Sequence, residues 1–351
     1  MAKRNIIPIF IPFYGCPSLC IYCNQRAITG QKEDLGLEEL DQRIQEERTW
    51  FLKKGPIQVA FYGGTFTLLP FSKQKAYLAR VTPWIQKGLI DGVRISTRPD
   101  AINLEELKVL RDLGLETVEL GIQSWSYEVL RAANRPMDLD QVEKNIKGLK
   151  DLGFELGLQQ MIGLPEDSLE RSLRTQEKII SLGADFVRIY PTLVLDQTPL
   201  AQAYREGVYR PLDLDQAIDW TAQLLEGYAR AHIPVIRVGL PPSQDLEDAS
   251  FIAGPKHAQF RELATSRWWT QKLGQLIEDK GLEGQICLEA SQANINRLVG
   301  PRAYGKAYLS EAYPIDLSFK NMEGDKMVIR SHQGDFVWDL WQGVVDEIKR
   351  T

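Results

Sequence analysis

Cys16, Cys20 and Cys23 are the residues whose type and spacing could do chemistry together. They fall in the run Cys16-Pro-Ser-Leu-Cys20-Ile-Tyr22-Cys23, so three of the chain's four cysteines lie within eight residues. Three thiolates at gaps of three and two residues can wrap one face of a metal centre but cannot close it. Soft thiolates select zinc or iron–sulfur ions over hard cations. A structural zinc site is closed by a fourth ligand. The fourth cysteine, Cys287, lies far off in a strand-like stretch, and the chain has only three histidines. The open corner suits a [4Fe–4S] cluster whose fourth iron binds something else, with zinc and inert thiols as the alternatives.

Other motifs sit at the ends of short apolar runs. These are Gly63-Gly64-Thr65, Ser96-Thr-Arg-Pro-Asp, Glu119-Leu-Gly-Ile-Gln123-Ser, Asn134-Arg135 and Met161-Ile162-Gly163-Leu-Pro165. A Gly-Gly turn lets a ligand approach the backbone because no Cβ intervenes. The elements that must position these residues are expected strands at 6–13, 57–62, 93–97, 117–122, 154–162 and 185–190. Helical spacing lies between them, as in Leu40, Ile44 and Phe51 and in Val142, Ile146 and Leu149. Asn103 with Glu106, and Ser168, read as helix starts, and Gly114, Gly153 and Gly183 as helix stops. Six strand–helix repeats predict a parallel α/β sheet, doubly wound or bent into a barrel. Right-handed crossovers then put every strand-to-helix loop on one face, where such folds collect their chemistry.

With CxxxCxxC at the mouth of the first strand of such a series, the chain resembles the radical S-adenosylmethionine (SAM) superfamily. The resemblance implies a partial (β/α)6 TIM-type barrel with a [4Fe–4S] cluster on Cys16, Cys20 and Cys23. It implies SAM as second cofactor, bound through the cluster's open iron and cleaved to a 5′-deoxyadenosyl radical. Tyr22 matches the family's aromatic beside the adenine, and Gly63, Gly64 and Thr65 the segment at the methionyl amino group. Ser96 stands where related enzymes such as oxygen-independent coproporphyrinogen III oxidases often have a SAM-contacting glutamate. Gln123 and Arg135 match SAM-contacting residues, and Ile162 lies in the segment that stacks on the adenine. A reductant such as flavodoxin or ferredoxin is the implied partner.

GGTF, TRPD, ELGIQS, the Asn-Arg pair, GLP and Arg188-Ile-Tyr190-Pro-Thr-Leu together resemble the radical SAM module of the Elongator catalytic subunit, over roughly residues 5–215. That resemblance points to tRNA as a substrate class. The acetyltransferase half of that protein is not expected here, and the family's Arg-Gly-His is replaced by Arg135-Pro-Met137. A small metabolite or peptide substrate, or a non-catalytic cluster or zinc protein that binds RNA or a partner, are the other readings.

The pattern changes near residue 240, so a radical SAM core is expected over 1–239 and a smaller C-terminal α+β extension over 240–351. In the later chain, Arg237 would face the active end, whereas Lys256 and His257 suit a surface loop. Trp268, Trp269 and Cys287 suit the core. Of 351 residues, 44% are hydrophobic and 25% charged, which excludes a disordered or fibrous chain. A net charge of −5 argues against an extended phosphate-binding surface. Clustered cysteines indicate a reducing compartment. Two prolines interrupt the apolar start IIPIFIPF, so it does not read as a signal peptide. No membrane partner and a cytoplasmic location are expected.

Overall fold

The computed structural model describes residues 4–11, 16, 20–24, 36–51, 55–240, 251–324, 326–340 and 343–348. Two compact units emerge, Met1–Leu212 with Ile233–Pro255, and Asp213–His232 with Lys256–Thr351.

The first unit is built on strands β1 (Asn5–Phe10), β2 (Ile57–Tyr62), β3 (Gly92–Thr97), β4 (Leu115–Gln123), β5 (Glu155–Ile162), β6 (Phe186–Pro191) and β8 (Val235–Val238). They pair in that order, every neighbour parallel. Between them run α1 (Leu37–Arg48), α2 (Phe71–Gln86), α3 (Leu104–Asp112), α4 (Tyr127–Ala132), α5 (Leu139–Asp151), α6 (Leu169–Ser181) and α7 (Pro199–Arg205). Because each strand lies beside the one before it, the sheet curls into a half-barrel instead of doubling back. The expected barrel is therefore present, with seven strands, the last supplied by the run IPVIRV. A two-stranded antiparallel ribbon joins β7 (Val194–Leu195) to β9 (Phe251–Ala253).

Helix boundaries follow local chemistry. The Asn103 side chain accepts hydrogen bonds from the Glu105 and Glu106 amides at 3.2 and 3.3 Å, and Ser168 Oγ from the Arg171 amide at 3.2 Å. Each satisfies a donor left open by the first helical turn. Asp138 and Thr198 cap α5 and α7 in the same way.

Side-chain alternation decides what the barrel encloses. Val118, Leu120 and Ile122 point to the helical layer and are fully buried, whereas Glu119, Gly121 and Gln123 point inward. On β5 the inward residues are Gln159 and Met161, with Gln160 and Ile162 outward; on β6 they are Arg188 and Tyr190. Strands β4 to β6 thus turn most of their polar side chains inward and apolar ones outward, unlike the continuously apolar strands usual in parallel sheets.

The second unit contains α8 (Leu214–Arg230), α9 (Phe260–Lys280), α10 (Gln292–Val299) and α11 (Tyr304–Ala312). Its sheet runs β11–β10–β12–β13–β14, with β10 (Gly284–Ala290), β11 (Ile315–Asn321), β12 (Met327–Ser331), β13 (Gly334–Asp339) and β14 (Gly343–Ile348). Only β10 and β11 pair in parallel. The expected α+β extension is present, but its limit differs from 239/240, because α8 is counted with it. That helix buries Ala217, Ile218, Thr221, Ala222, Leu224, Leu225 and Tyr228 and packs along α9. Trp268 and Trp269 are core residues, their rings edge to face at 6.5 Å and 80°. Lys256 and His257 are exposed, and Cys287 is half-buried rather than buried.

Candidate active site

A cavity of about 520 Å³ opens at the carboxyl ends of the strands. Cys16, Cys20, Tyr22 and Cys23 form one wall, and Gly63, Gly64 and Thr65, leaving β2, form the next. Ser96 on β3, Gln123 at the end of β4, and Arg135 after α4 complete this half. Ten of the eleven residues singled out from the sequence thus line one cavity. Ile162 does not. It ends β5 facing outward, fully buried, while its carbonyl accepts from the Thr192 amide at 3.0 Å and Thr192 Oγ1 at 2.7 Å. Strand alternation gives the inward position to Met161 instead.

The cysteine segment is docked by its backbone. The Ile21 amide donates to the Ala133 carbonyl at 3.2 Å, Leu200 N to the Ile21 carbonyl at 2.9 Å, and Cys23 N to the Cys20 carbonyl at 3.0 Å. Tyr22 packs against Val129, Ala133 and Leu164. Burial raises its phenol pKa well above the ordinary value, the neighbouring Arg135 opposing. Residues 12–15 and 17–19 lie outside the described residues.

Cys16 Sγ lies 3.4 Å from Thr65 Oγ1, and Arg135 Nη1 donates to Cys20 Sγ at 3.4 Å. Arg135 Nη2 donates to the Gly121 carbonyl at 2.7 Å, and Nε is buried with no hydrogen-bond acceptor. Burial opposes the guanidinium charge, but Tyr22 and Cys20 outweigh it and raise the pKa. Among the described residues no three His, Cys, Asp or Glu side chains are gathered closely enough to hold a metal ion. The donor set nonetheless fits an iron–sulfur cluster: thiols only, on one cavity wall, with a buried cation to balance a negative sulfur.

Gln123 has a backbone φ of +68°, a left-handed conformation uncommon away from glycine, at a register shift in the β4–β5 pairing. Its Oε1 accepts from Gln159 Nε2 at 3.2 Å. A Cβ at Gly121 would lie 2.9 Å from Gln123 Nε2 and 3.3 Å from Arg135 Nη2, so a larger residue there would displace the ends of those side chains.

Sequence reasoning missed the network behind this wall. Glu119 Oε1 accepts from Arg94 Nη1 at 2.7 Å, Arg188 Nη2 at 2.9 Å and the Tyr62 hydroxyl at 3.2 Å. Arg188 Nε lies 2.7 Å from Glu119 Oε2, out of line for a hydrogen bond, so that contact is an ion pair. Burial opposes the Arg188 charge, yet Glu119 outweighs it and raises the pKa well above its usual value. Burial and then Glu119 raise the Tyr62 pKa. The available signal was a charged residue set inside an otherwise apolar strand run, as in VELGIQ and VRIY.

A parallel half-barrel with thiols and a glycine turn at its mouth defines a class of cofactor-dependent enzyme in which the strands position and a metal centre reacts. The particular kind is given by comparison. The chain belongs to the radical SAM superfamily, which matches residues 10–179, and the radical SAM C-terminal domain matches residues 184–278. Members of that superfamily are enzymes that typically bind a [4Fe–4S] cluster and SAM.

The chain is 25% identical over 248 residues to the haem chaperone HemW of Lactococcus lactis, covering 69% of this chain and 64% of that protein. It is 26% identical over 245 residues to a tRNA uridine(34) acetyltransferase of Methanocaldococcus infernus, covering 67% and 43%. The solved structure of Methanocaldococcus infernus Elp3 with an N-terminal deletion matches with a TM-score of 0.57 and 20% identity, over 80% of this chain and 64% of that one. This last likeness is one of fold. The match spans less than two thirds of each of these relatives.

Proposed function

We propose that this enzyme cleaves SAM reductively at a [4Fe–4S] cluster held by Cys16, Cys20 and Cys23, and that its substrate is RNA, tRNA above all. The observation that carries the first part is the meeting of the three thiols with Gly63, Thr65, Gln123 and Arg135 around one cavity. A cluster held by Cys16, Cys20 and Cys23 would supply the one electron needed for reductive cleavage of the S–C5′ bond of SAM. The chain's own residues bind, orient and exclude water. Backbone at Gly63 and Gly64 would receive the methionyl group, with Gln123 and Arg135 donating to its polar atoms. Tyr22 and Met161 would give the adenine an apolar bed. Arg135 also balances the Cys20 sulfur, and a flavodoxin or ferredoxin would deliver the electron.

The tRNA part is supported by the relative that is a tRNA uridine(34) acetyltransferase. A second reading, a cluster protein that carries a ligand without radical chemistry, is favoured by the match to a haem chaperone over 69% of this chain.

The test is anaerobic reconstitution followed by SAM and dithionite. Wild type should yield 5′-deoxyadenosine, and Cys16→Ala, Cys20→Ala and Cys23→Ala should each lose both the product and the brown colour. Product persisting in all three variants would sink the assignment. A brown wild type that never cleaves SAM but binds haem would favour the carrier.

A further inference from the structure

Four arginines and one glutamate line the cavity, and three of the arginines are committed. Arg98 holds Asp100 through two hydrogen bonds at 2.9 and 2.7 Å. Arg135 is taken by Cys20 and the Gly121 carbonyl, and Arg188 by Glu119. The side chain of the fourth, Arg237 on β8, makes no hydrogen bond or ion pair with any described residue.

Its place in the sheet sharpens the point. Arg237 stands in register with Arg188 on neighbouring β6, and both face the cavity. Like charges opposite one another on adjacent strands repel. The carboxylate that could offset both, Glu119, is already shared between Arg188 and Arg94. This wall therefore carries positive charge that no described group balances. Beside it, Leu193, Leu195 and Leu240 supply an apolar surface.

We infer that the β6–β8 wall is an anion-binding subsite for substrate, in which Arg237 takes a phosphate while the leucines receive an uncharged body. The inference rests on the RNA reading above, under which the phosphate is a phosphodiester of the strand and the body a base. The planar guanidinium fork matches two phosphate oxygens, and with no protein partner to release, its binding costs no broken ion pair.

The test uses reconstituted protein with SAM present, a labelled uridine trinucleotide and inorganic pyrophosphate, at two salt concentrations. Wild type should bind the trinucleotide in a salt-dependent way, with pyrophosphate competing. Arg237→Ala should lose about tenfold in affinity and flatten the log–log salt slope by about one unit. Arg237→Lys should recover most of the slope but only part of the affinity. Iron content and circular dichroism show whether each variant is folded. Equal affinity and slope in wild type and Arg237→Ala would overturn the subsite. Arg237-dependent pyrophosphate binding without trinucleotide binding would uphold a phosphate subsite and overturn RNA as its source. Arg237-dependent binding of haem, a carboxylate ligand, with neither phosphate probe bound would overturn the phosphate assignment.

Discussion

Glu119 holds more of the interior than a single charge suggests. Its carboxylate is 6% exposed and ion-pairs with Arg94 and Arg188, both of which have little water to fall back on. Arg94 has a second, longer ion pair with Glu155 at 3.7 Å, but Glu119 is the one carboxylate among the described residues paired with Arg188, and an uncompensated buried charge costs far more than a well-made pair contributes. Glu119→Gln is therefore expected to destabilise the protein by about 3–5 kcal/mol, read as a lower urea midpoint. A loss below about 1 kcal/mol would mean that water reaches the network. This group was illegible in the sequence because Glu119 sits on β4 and its partners on β2, β3 and β6, and they meet only through sheet register. The cysteines were legible for the opposite reason, since their ligand geometry is written in local spacing. Ile162 faces away from the cavity that Met161 lines, because in a strand one residue turns a side chain to the other face.

At the scale of elements, strands of the first unit were readable because apolar runs end in glycine or polar motifs there. β13 and β14 were not, since GDFVWD and GVVDEI mix acidic residues into short runs. The loop after β5 carries its own pH signature. Asp167 accepts from the Gly163 amide at 2.9 Å, Ser172 Oγ at 2.9 Å and the Ser168 amide at 2.9 Å, tying the loop to α6. Burial outweighs these hydrogen bonds and pushes its carboxyl from 3.8 up to about 6. A carboxyl raised on folding is better tolerated protonated. Its stabilising contribution is complete below about pH 4 and is lost as pH rises through about 6. A shift of this size corresponds to at most about 3 kcal/mol. Urea unfolding of wild type should show stability falling across that window more steeply than in Asp167→Asn. Parallel pH profiles would exclude Asp167 as the cause.

For the whole molecule, the α/β core and α+β remainder were foreseeable from the change of pattern, but the division was not. Composition marks where a loop lies, and does not tell which sheet or helix a preceding helix will pack on. The chain leaves the first unit at Leu212, gives α8 to the second, returns with β8 and β9, and leaves again after Pro255. A fragment ending at residue 240 would keep α8 without α9 and expose Leu224, Leu225 and Tyr228, which are otherwise buried. That fragment is expected to be insoluble or to bind a dye for exposed apolar surface, and a soluble, cooperatively unfolding fragment would contradict the division. The same interleaving orders assembly. Strands β2 to β6 can each dock on a neighbour already made as the polypeptide lengthens, whereas β8 arrives only after α8, and α8 must wait for α9. Arg237 rides on β8, so the substrate wall is the last part of the barrel to be born, and a ribosome-bound nascent chain would gain its thiol wall before its arginine.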